Sequence, residues 1–441
     1  MNRALFIRRL PLRIVTGLGI SLIAAMPALA QSEVQESPAD TSAPVVTEAQ
    51  VPTLGLAECL QIASERQPAL AAYRASLAAA QEGYRGVRNL RVPTFLARDL
   101  PIRRKQASLG VGAAAASVDQ AEHDTVYAVT RTYFSVLYAR EQQRIASDVA
   151  DHLKGTLSVA SAQLKAGTRE ATEASVDKTT VYLRLAESRK AEATRGIQQA
   201  TAALKEAVGF GPETSLQVPD ERLPDPQITV NKDEIVALAT SRRGELAQAG
   251  IFANITCLEV GAQSKSCKPQ FRTFAGAADI HATVVPQGVA DTEYRPGAVP
   301  PEMPTMLVGN RASRMDHARA LNARAGAVAE KTRNLVGLEA EDAYYRWEEA
   351  AQKIASLREA STKGSKLADA TRKDYTGGQN VKVDDVLTNE VLSAQARSQY
   401  VEALYRQVLA LAALERVTAG GFSAGLVPQP APASDQTNGN Q

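Results

Sequence analysis

The side chains that most often carry out catalysis or bind metals are few and scattered in this 441-residue chain. Its histidines show no ligand spacing with its three cysteines; they are His123, His152, His281 and His317. A zinc site or a catalytic triad therefore has no support. No glycine-rich loop follows a strand pattern, so no phosphate site is indicated. We expect no enzyme, no metal and no cofactor.

The cysteines suggest at most one cross-link. Cys257 and Cys267 lie ten residues apart in a segment that we predict to be a loop. In an oxidising compartment the two could form a local disulfide, and two free thiols are the alternative. Cys59 lies on an apolar helical face and is expected to be a small core residue.

Acidic residues follow two glycine turns. Glu170 and Glu173 come after Gly167, and Asp384 and Asp385 come after the pair Gly377-Gly378. Acids in the first turn of a helix complement the helix dipole, which is the simpler interpretation. The alternative is that these acids form a functional cluster of like charge, which would attract cations.

The elements that carry these turns are two long spans without proline, 102–211 and 305–427. Apolar residues recur in both at steps of three and four, which places them on one stripe of an α-helix. Each span contains one glycine-type helix stop near its middle, at Gly167 and at Gly377-Gly378, and is therefore predicted to be a helical hairpin. Its arms of roughly 40–60 residues would be about 60–90 Å long.

The two hairpins are copies of one unit. Tyr133 precedes Gly167 by 34 residues, and Tyr344 precedes Gly378 by the same distance. These landmarks, like Gly209 and Gly420, repeat with an offset of 211, whereas the helix starts near Thr53 and Thr229 differ by 176. The second copy therefore contains 35 extra residues, which we place between about 257 and 311. An internal duplication of this kind determines how the whole fold is interpreted.

We predict a mainly α protein with a small, reduced β-region. Helices are expected near 53–90, 106–165, 170–208, 230–258, 312–376 and 382–418. The predicted domains are a signal peptide (1–30), a flexible lead-in (31–52), a first repeat (53–228), a second repeat (229–420) and a disordered tail (421–441).

The beginning of the chain indicates export. Four arginines precede an apolar run from Ile14 to Met26, and Ala28-Leu29-Ala30 supplies a small-x-small cleavage site. The run is shorter than the roughly 20 residues that span a bilayer, so cleavage is preferred to an anchor. Removing 1–30 changes the formal charge from +2 to −2, which gives no reason to expect a nucleic-acid partner.

Several short segments resemble TolC-like outer-membrane efflux proteins. The resemblance covers most of 53–420, and the order of the segments makes it more specific than any one of them. They are Leu56–Ala63, Gln67–Leu70, Pro101–Arg104, Thr132–Phe134, Val208-Gly209 and Tyr375–Leu387.

The resemblance implies a homotrimer whose six hairpins form a hollow periplasmic tube below the outer membrane. It also implies an export role, for small molecules or proteins, together with a periplasmic adaptor and an inner-membrane transporter. Asp384 and Asp385 match the family position where acids constrict the periplasmic mouth. The turns where an adaptor would dock correspond to Gly167, Thr168, Gly377, Gly378 and Gln379.

The chain departs from this family at its membrane end. The family pattern requires two membrane-spanning strands in each half, but the first connector, about 91–105, is too short and too rich in proline and charge. We expect at most one short strand there and one irregular hairpin in the second connector. A periplasmic adaptor and a structural coiled-coil protein without its own pore therefore stay open as alternatives.

Overall fold

The computed structural model describes residues 52–93, 95–167, 172–266, 307, 309–379 and 381–426, which belong to one structural unit. These residues form eight helices: α1 (Leu56–Arg66), α2 (Pro68–Asn89), α3 (Leu100–Lys165), α4 (Glu173–Val208), α5 (Lys232–Arg242), α6 (Gly244–Lys265), α7 (Arg311–Thr376) and α8 (Val383–Val417). The signal peptide, the lead-in up to residue 51 and the second connector from 267 to 306 lie outside the described residues.

The helix lengths repeat almost residue for residue. They are 11, 22, 66 and 36 residues in the first half, and 11, 22, 66 and 35 in the second. The first two helices of each half are offset by 176 residues, and the long helices α3 and α7 by 211. The prediction of a duplicated helical hairpin is confirmed, and so is the position of the insertion between α6 and α7.

The helical ranges predicted near 53–90 and 230–258 are each divided into two helices in the structure. Gln67 and Arg243 both adopt extended backbone and separate an 11-residue helix from a 22-residue one. At Gln67 the cause is the following Pro68, which disfavours helical backbone in the residue before it. At Arg243 the following Gly244 lies against α3, where an added Cβ would come within 2.6 Å of the Ala116 carbonyl oxygen.

Two helix starts also differ from prediction. α1 is capped by Gly55, whose N–H donates to the Glu58 carboxylate at 2.8 Å, and not by Thr53. Thr53 instead pairs with Gln217 in an isolated parallel bridge. α3 starts at residue 100 and not at 106, because Pro101 is tolerated in the first helical turn. The first connector is therefore only ten residues long, 90–99, and its described residues contain no strand.

The main core lies around the middle of the long helices. Tyr133 and Phe134 of α3 pack there with Val408 and Leu411 of α8, and with the short helices α1 and α5. The segment after α8 closes this core, since Leu426 is buried and the Ala424 N–H donates to the Glu415 carboxylate at 2.6 Å. The prediction that the chain is disordered from residue 421 is therefore wrong for 421–426, while 427–441 lie outside the described residues.

The long helices pack in a fixed lateral order. α3 contacts α2 and α4 on one side, and α6 and α8 on the other, while α7 packs beyond α6 and α8. α2 and α7 therefore lie at opposite edges of an arc. No helix among the described residues is long and apolar enough to cross a membrane.

Candidate functional site: the hairpin turns

The two long-hairpin turns lie side by side, as the matched landmark spacing predicts. Tyr375, at the end of α7, is buried and donates its hydroxyl to the Gln163 side-chain oxygen of α3 at 2.9 Å. Val159 of α3 and Val383 of α8 pack in the same small cluster. The first hairpin is thereby joined to the second at its tip.

Glycine provides the geometry of both turns. Gly167 and Gly378 have φ of 69° and 73°, in the left-handed region that disfavours side chains with a Cβ. After α7, the Gln379 N–H donates to the Asp374 carbonyl at 3.0 Å, which satisfies an end-of-helix acceptor. With Gly377 at the C-cap of α7, these glycines occupy the tip that the sequence predicts.

The acidic residues after the turns have different surroundings. Asp384 is exposed and forms an ion pair with Lys178 of α4 at 3.0 Å. Asp385 is also exposed, and no cation lies within ion-pair distance of it among the described residues. Glu173 lies in the first turn of α4, whose cap is supplied by Thr172 and Ser175. One of the two α8 carboxylates is thus balanced within the chain, and the other keeps its charge open to the surroundings.

A buried carboxylate that sequence reasoning missed lies above the tip. Glu390 of α8 is almost fully buried and accepts from Arg372 of α7 at 2.6 Å. His152 of α3 places its Nδ1 3.2 Å from the same carboxylate. Three long helices therefore meet at one side chain. No sequence signal could have paired these residues, because His152 and Glu390 are 238 positions apart.

A groove of about 730 Å³ runs between α3, α4 and α8 above the tip. Its walls combine apolar and polar side chains, including Ile145, Tyr182, Arg189, Gln395 and Ser398. The groove is open because α4 contacts α8 only marginally. It offers a mixed surface to any helix that approaches the tip from the side.

Three predicted site residues, Thr168, Glu170 and Cys267, lie outside the described residues. Cys257 is exposed on α6, so its disulfide with Cys267 stays a prediction. Cys59 is fully buried, as expected, and burial raises the pKa of its thiol to about 11 with a smaller contribution from Glu58. Within the described part of the chain, no cluster of His, Cys, Asp or Glu could hold a metal ion.

Solved structures share this architecture. The open-state outer membrane channel MtrE of Neisseria gonorrhoeae aligns with a TM-score of 0.64 at 16% identity, over 84% of this chain and 90% of that one. VceC, an outer membrane protein of Vibrio cholerae, aligns with 0.63 at 17% identity, over 83% and 97%. The outer membrane channel CmeC of Campylobacter jejuni aligns with 0.65 at 12% identity, over 84% and 86%.

No protein-family model matches the chain, and no curated protein matches its sequence. At such low identities the alignments bear on the fold. They extend over most of each chain. The fold of this chain is therefore that of the TolC-like outer-membrane factors, as the order of its sequence motifs predicts.

Proposed function

We propose that this protein is one subunit of a closed homotrimeric conduit at the outer membrane, with a large periplasmic part. In this role it would export small molecules or proteins together with a periplasmic adaptor and an inner-membrane transporter. The observation that carries the proposal is the unfinished lateral packing of the arc. α6 lies between α3 and α7, whereas its counterpart α2 packs on α3 and marginally on α1.

The internal repeat indicates what should cover the open edges. Within the chain, α3 contacts α6 and α8 of the next repeat. By the same rule, α7 should contact α2 and α4 of a neighbouring copy. This interface joins different surfaces of the two copies, and such head-to-tail contacts generate a ring when the rotation closes. Three copies would contribute six repeats to that ring.

The open edges carry exposed apolar side chains that suit such contacts. Tyr73 of α2 and Val181 of α4 are exposed in the first repeat, and Leu338 and Leu367 of α7 are exposed in the second. Val181 is 58% exposed, which is unfavourable unless a partner covers it. Contact between these surfaces of neighbouring copies would form a ring, whereas a structural coiled-coil tether would not need it.

At the tip of such a ring, Asp385 of each copy would contribute an unbalanced carboxylate to the periplasmic mouth. Asp384 would contribute less, because Lys178 already pairs with it. Replacing Asp385 with Ala should reduce cation selectivity more than replacing Asp384 does, in conductance measurements on reconstituted trimers. No change in conductance or drug leakage when both are replaced would leave only a role in helix capping.

The same tip is the proposed docking surface for a periplasmic adaptor. The turns around Gly167 and Gly377–Gln379 are exposed, and the groove lies further along the helices, beginning at about Leu153, Tyr182 and Val391. A photo-crosslinker at Gln379 should capture an adaptor in intact cells, whereas one at exposed Arg333 near the middle of α7 should not. Capture of only self-contacts from Gln379 would count against docking at this surface.

Ring formation can be tested with one engineered disulfide. Tyr138 of α3 stacks on Tyr405 of α8 with ring centroids 4.5 Å apart. The offset of 211 carries these positions to Glu349 of α7 and Thr194 of α4, which should meet across the interface between copies. Both are exposed in the single chain.

Cysteines at Thr194 and Glu349, with Cys257 and Cys267 replaced by Ser, should yield a covalent trimer as the largest product after oxidation. The matched control moves the second cysteine from Glu349 to Glu359, which is also exposed but lies about 15 Å further along α7. A purely monomeric product from the first pair would contradict the conduit. An open ladder of higher oligomers would favour a filament or tether.

A further inference from the structure

The α2–α3 connector presents the two most exposed large apolar side chains of the described residues. Phe95 is 72% exposed and Leu96 is 62% exposed. Leu90 and Val92, in the same connector, are exposed as well. The connector leads from the end of α2 into the start of α3. Since α3 is about 100 Å long, the connector lies about that distance from the Gly167 turn at the other end of the helix.

Cations surround the apolar side chains of this connector. Arg88, Arg91, Arg98 and Lys105 are exposed along it. The nearby acids do not balance them, because Glu82 pairs with Arg85 and Asp99 pairs with the buried Arg103. The exposed surface is therefore apolar at its centre and positively charged at its border.

Hydrogen bonds from neighbouring residues hold the connector in place. Arg104 donates to the Leu90 carbonyl at 2.7 Å and so closes the end of α2. The Leu96 N–H donates to the Pro93 carbonyl at 3.0 Å, which forms a turn. Arg103 and Glu259 pair below it in the core, where both are almost fully buried. Phe95 and Leu96 are therefore displayed by a supported turn.

We propose that this connector is a membrane-surface anchor that binds anionic phospholipid. Phe95 and Leu96 would enter the boundary between headgroups and acyl chains, while the arginines contact phosphate. The ten residues from 90 to 99 extend at most about 35 Å, too little to cross a hydrocarbon core of about 30 Å and return. The contact is therefore confined to one bilayer surface.

The positive charge around the connector favours an anionic lipid surface over a second copy of this chain as its partner. Between 85 and 105 the chain carries seven cations, of which Arg85 and the buried Arg103 are already paired, and its single acid is the buried Asp99. A second copy that met the first through this connector would bring the same positive charge against it and would be repelled. An anionic bilayer complements both the charge and the apolar centre.

The inference extends the proposed conduit by assigning residues to its membrane end, and the two can fail separately. Cross-linking between Thr194 and Glu349 reports on the ring, whereas vesicle flotation of the purified exported protein reports on the anchor. The protein should float with vesicles of phosphatidylethanolamine and phosphatidylglycerol more strongly than with phosphatidylcholine vesicles. Added salt should weaken the binding.

Two sets of substitutions separate the apolar and charged contributions. Phe95→Ser with Leu96→Ser should weaken binding by at least about tenfold. Arg88→Gln, Arg91→Gln and Arg98→Gln together should weaken it on the order of a hundredfold. The charge-matched control replaces Arg189, Arg333 and Lys366, which are exposed on α4 and α7, and should leave binding unchanged.

A fluorescent variant keeps the proposal testable if the serine variant folds poorly. Trp347 is the single tryptophan, and its buried Nε1 has no hydrogen-bond partner among the described residues, so Trp347→Phe leaves no hydrogen bond broken there. Phe95→Trp in that background should be quenched by brominated lipid. Absence of quenching, or vesicle binding that survives both sets of substitutions, would overturn the anchor. If the indole introduced by Phe95→Trp is shielded from aqueous quenchers without vesicles, a protein segment covers the connector and the proposal is also wrong.

Discussion

The two repeats use one arginine each to close the end of their second helix, but not the same one. In the second repeat, Arg314 donates to the Gln263 side chain at 2.9 Å and to the Ser266 carbonyl at 3.1 Å. In the first repeat, Arg104 donates to the Leu90 carbonyl, at the position equivalent to Ser266. The sequence equivalent of Arg314 is Arg103, which instead pairs with Glu259 of α6. In both repeats an arginine therefore donates to the carbonyl at the end of the second helix. Arg103, which does not make this contact in the first repeat, instead joins the two repeats through Glu259.

The difference follows from how each second helix is enclosed. α6 buries ten residues because it packs between α3 and α7, and five of them are the polar side chains of Glu245, Gln248, Thr256, Glu259 and Gln263. α2 buries only Leu70 and Val87. A shared ancestral pattern has therefore been adapted to two environments. The face that α6 uses to meet α3 stays uncovered in α2.

The largest expected effect comes from the contact that only the second repeat has. Glu259 is 1% exposed and accepts from Arg103, Gln106 and Gln263. Glu259→Ala should lower the free energy of unfolding by about 3–5 kcal/mol, because it removes the two-oxygen partner of the buried Arg103 charge and leaves the carboxylate contact with Asp99 at 3.2 Å. Urea titration followed by circular dichroism measures it. The control Glu341→Ala removes an exposed ion pair with Lys232 and should cost about 1 kcal/mol or less. Equal costs would refute a special role for this buried pair.

The uncovered face of α2 should be sensitive to charge in the assembled protein. Ala79 corresponds to Ile255 of α6, which is buried, and Ala78 corresponds to Asn254, which is exposed. Both alanines are exposed in the single chain. Ala79→Glu should weaken self-association by roughly tenfold or more, because it would bury an unpaired carboxylate at the interface. Ala78→Glu should have no such effect.

Analytical ultracentrifugation of both variants at several concentrations measures this difference. Neither substitution should change the unfolding of the single chain, because each site faces solvent there. If Ala78→Glu disrupted assembly as much as Ala79→Glu, the faces of α2 and α6 would not be used equivalently. The ring would then need a different interface.

Arg314 and Arg104 should also differ in how much each contributes to the free energy of unfolding. Arg314 is 5% exposed and donates to a side chain and two carbonyls, whereas Arg104 is only half-buried. Arg314→Ala should cost about 2–3 kcal/mol, because it leaves buried acceptors unpaired, and Arg104→Ala about 1 kcal/mol. Thermal unfolding of the two variants provides the comparison. A larger loss for Arg104 would indicate that the first repeat depends on this contact more than its exposure implies.

The sequence predicts what is local and repeated, and fails where distant segments meet. Gly167 and Gly378 identify the turns because a left-handed backbone favours glycine, and apolar periodicity identifies the long helices. The break at Arg243 has no proline to announce it and depends on the close approach of Gly244 to α3. The pairing of Asp384 with Lys178 joins residues 206 positions apart, so the gate acids could be located but not their charge balance.

The smallest expected effect is a difference in pH dependence between two buried carboxylates. At Glu259, burial acts to raise the pKa, but hydrogen bonds and the charge of Arg103 hold it below the usual 4.5. At Glu339 of α7, burial outweighs Arg243 and Arg416 and raises the pKa above 4.5. The contribution of Glu259 to stability is therefore complete above pH 4.5 and is lost as the pH falls through its lowered pKa. The contribution of Glu339 is complete below pH 4.5 and is lost as the pH rises through its raised pKa.

Glutamine variants should reveal these opposite signs. The stability deficit of Glu259→Gln relative to the unmodified protein should shrink as the pH falls below 4.5, because the native carboxyl then becomes neutral as well. The stability of Glu339→Gln should improve relative to the unmodified protein as the pH rises above 4.5, because the variant avoids burying a charge. Melting temperatures measured across this range test both. Parallel curves for the two variants would mean that the arginines around Glu339 stabilise its charge as well as Arg103 stabilises that of Glu259.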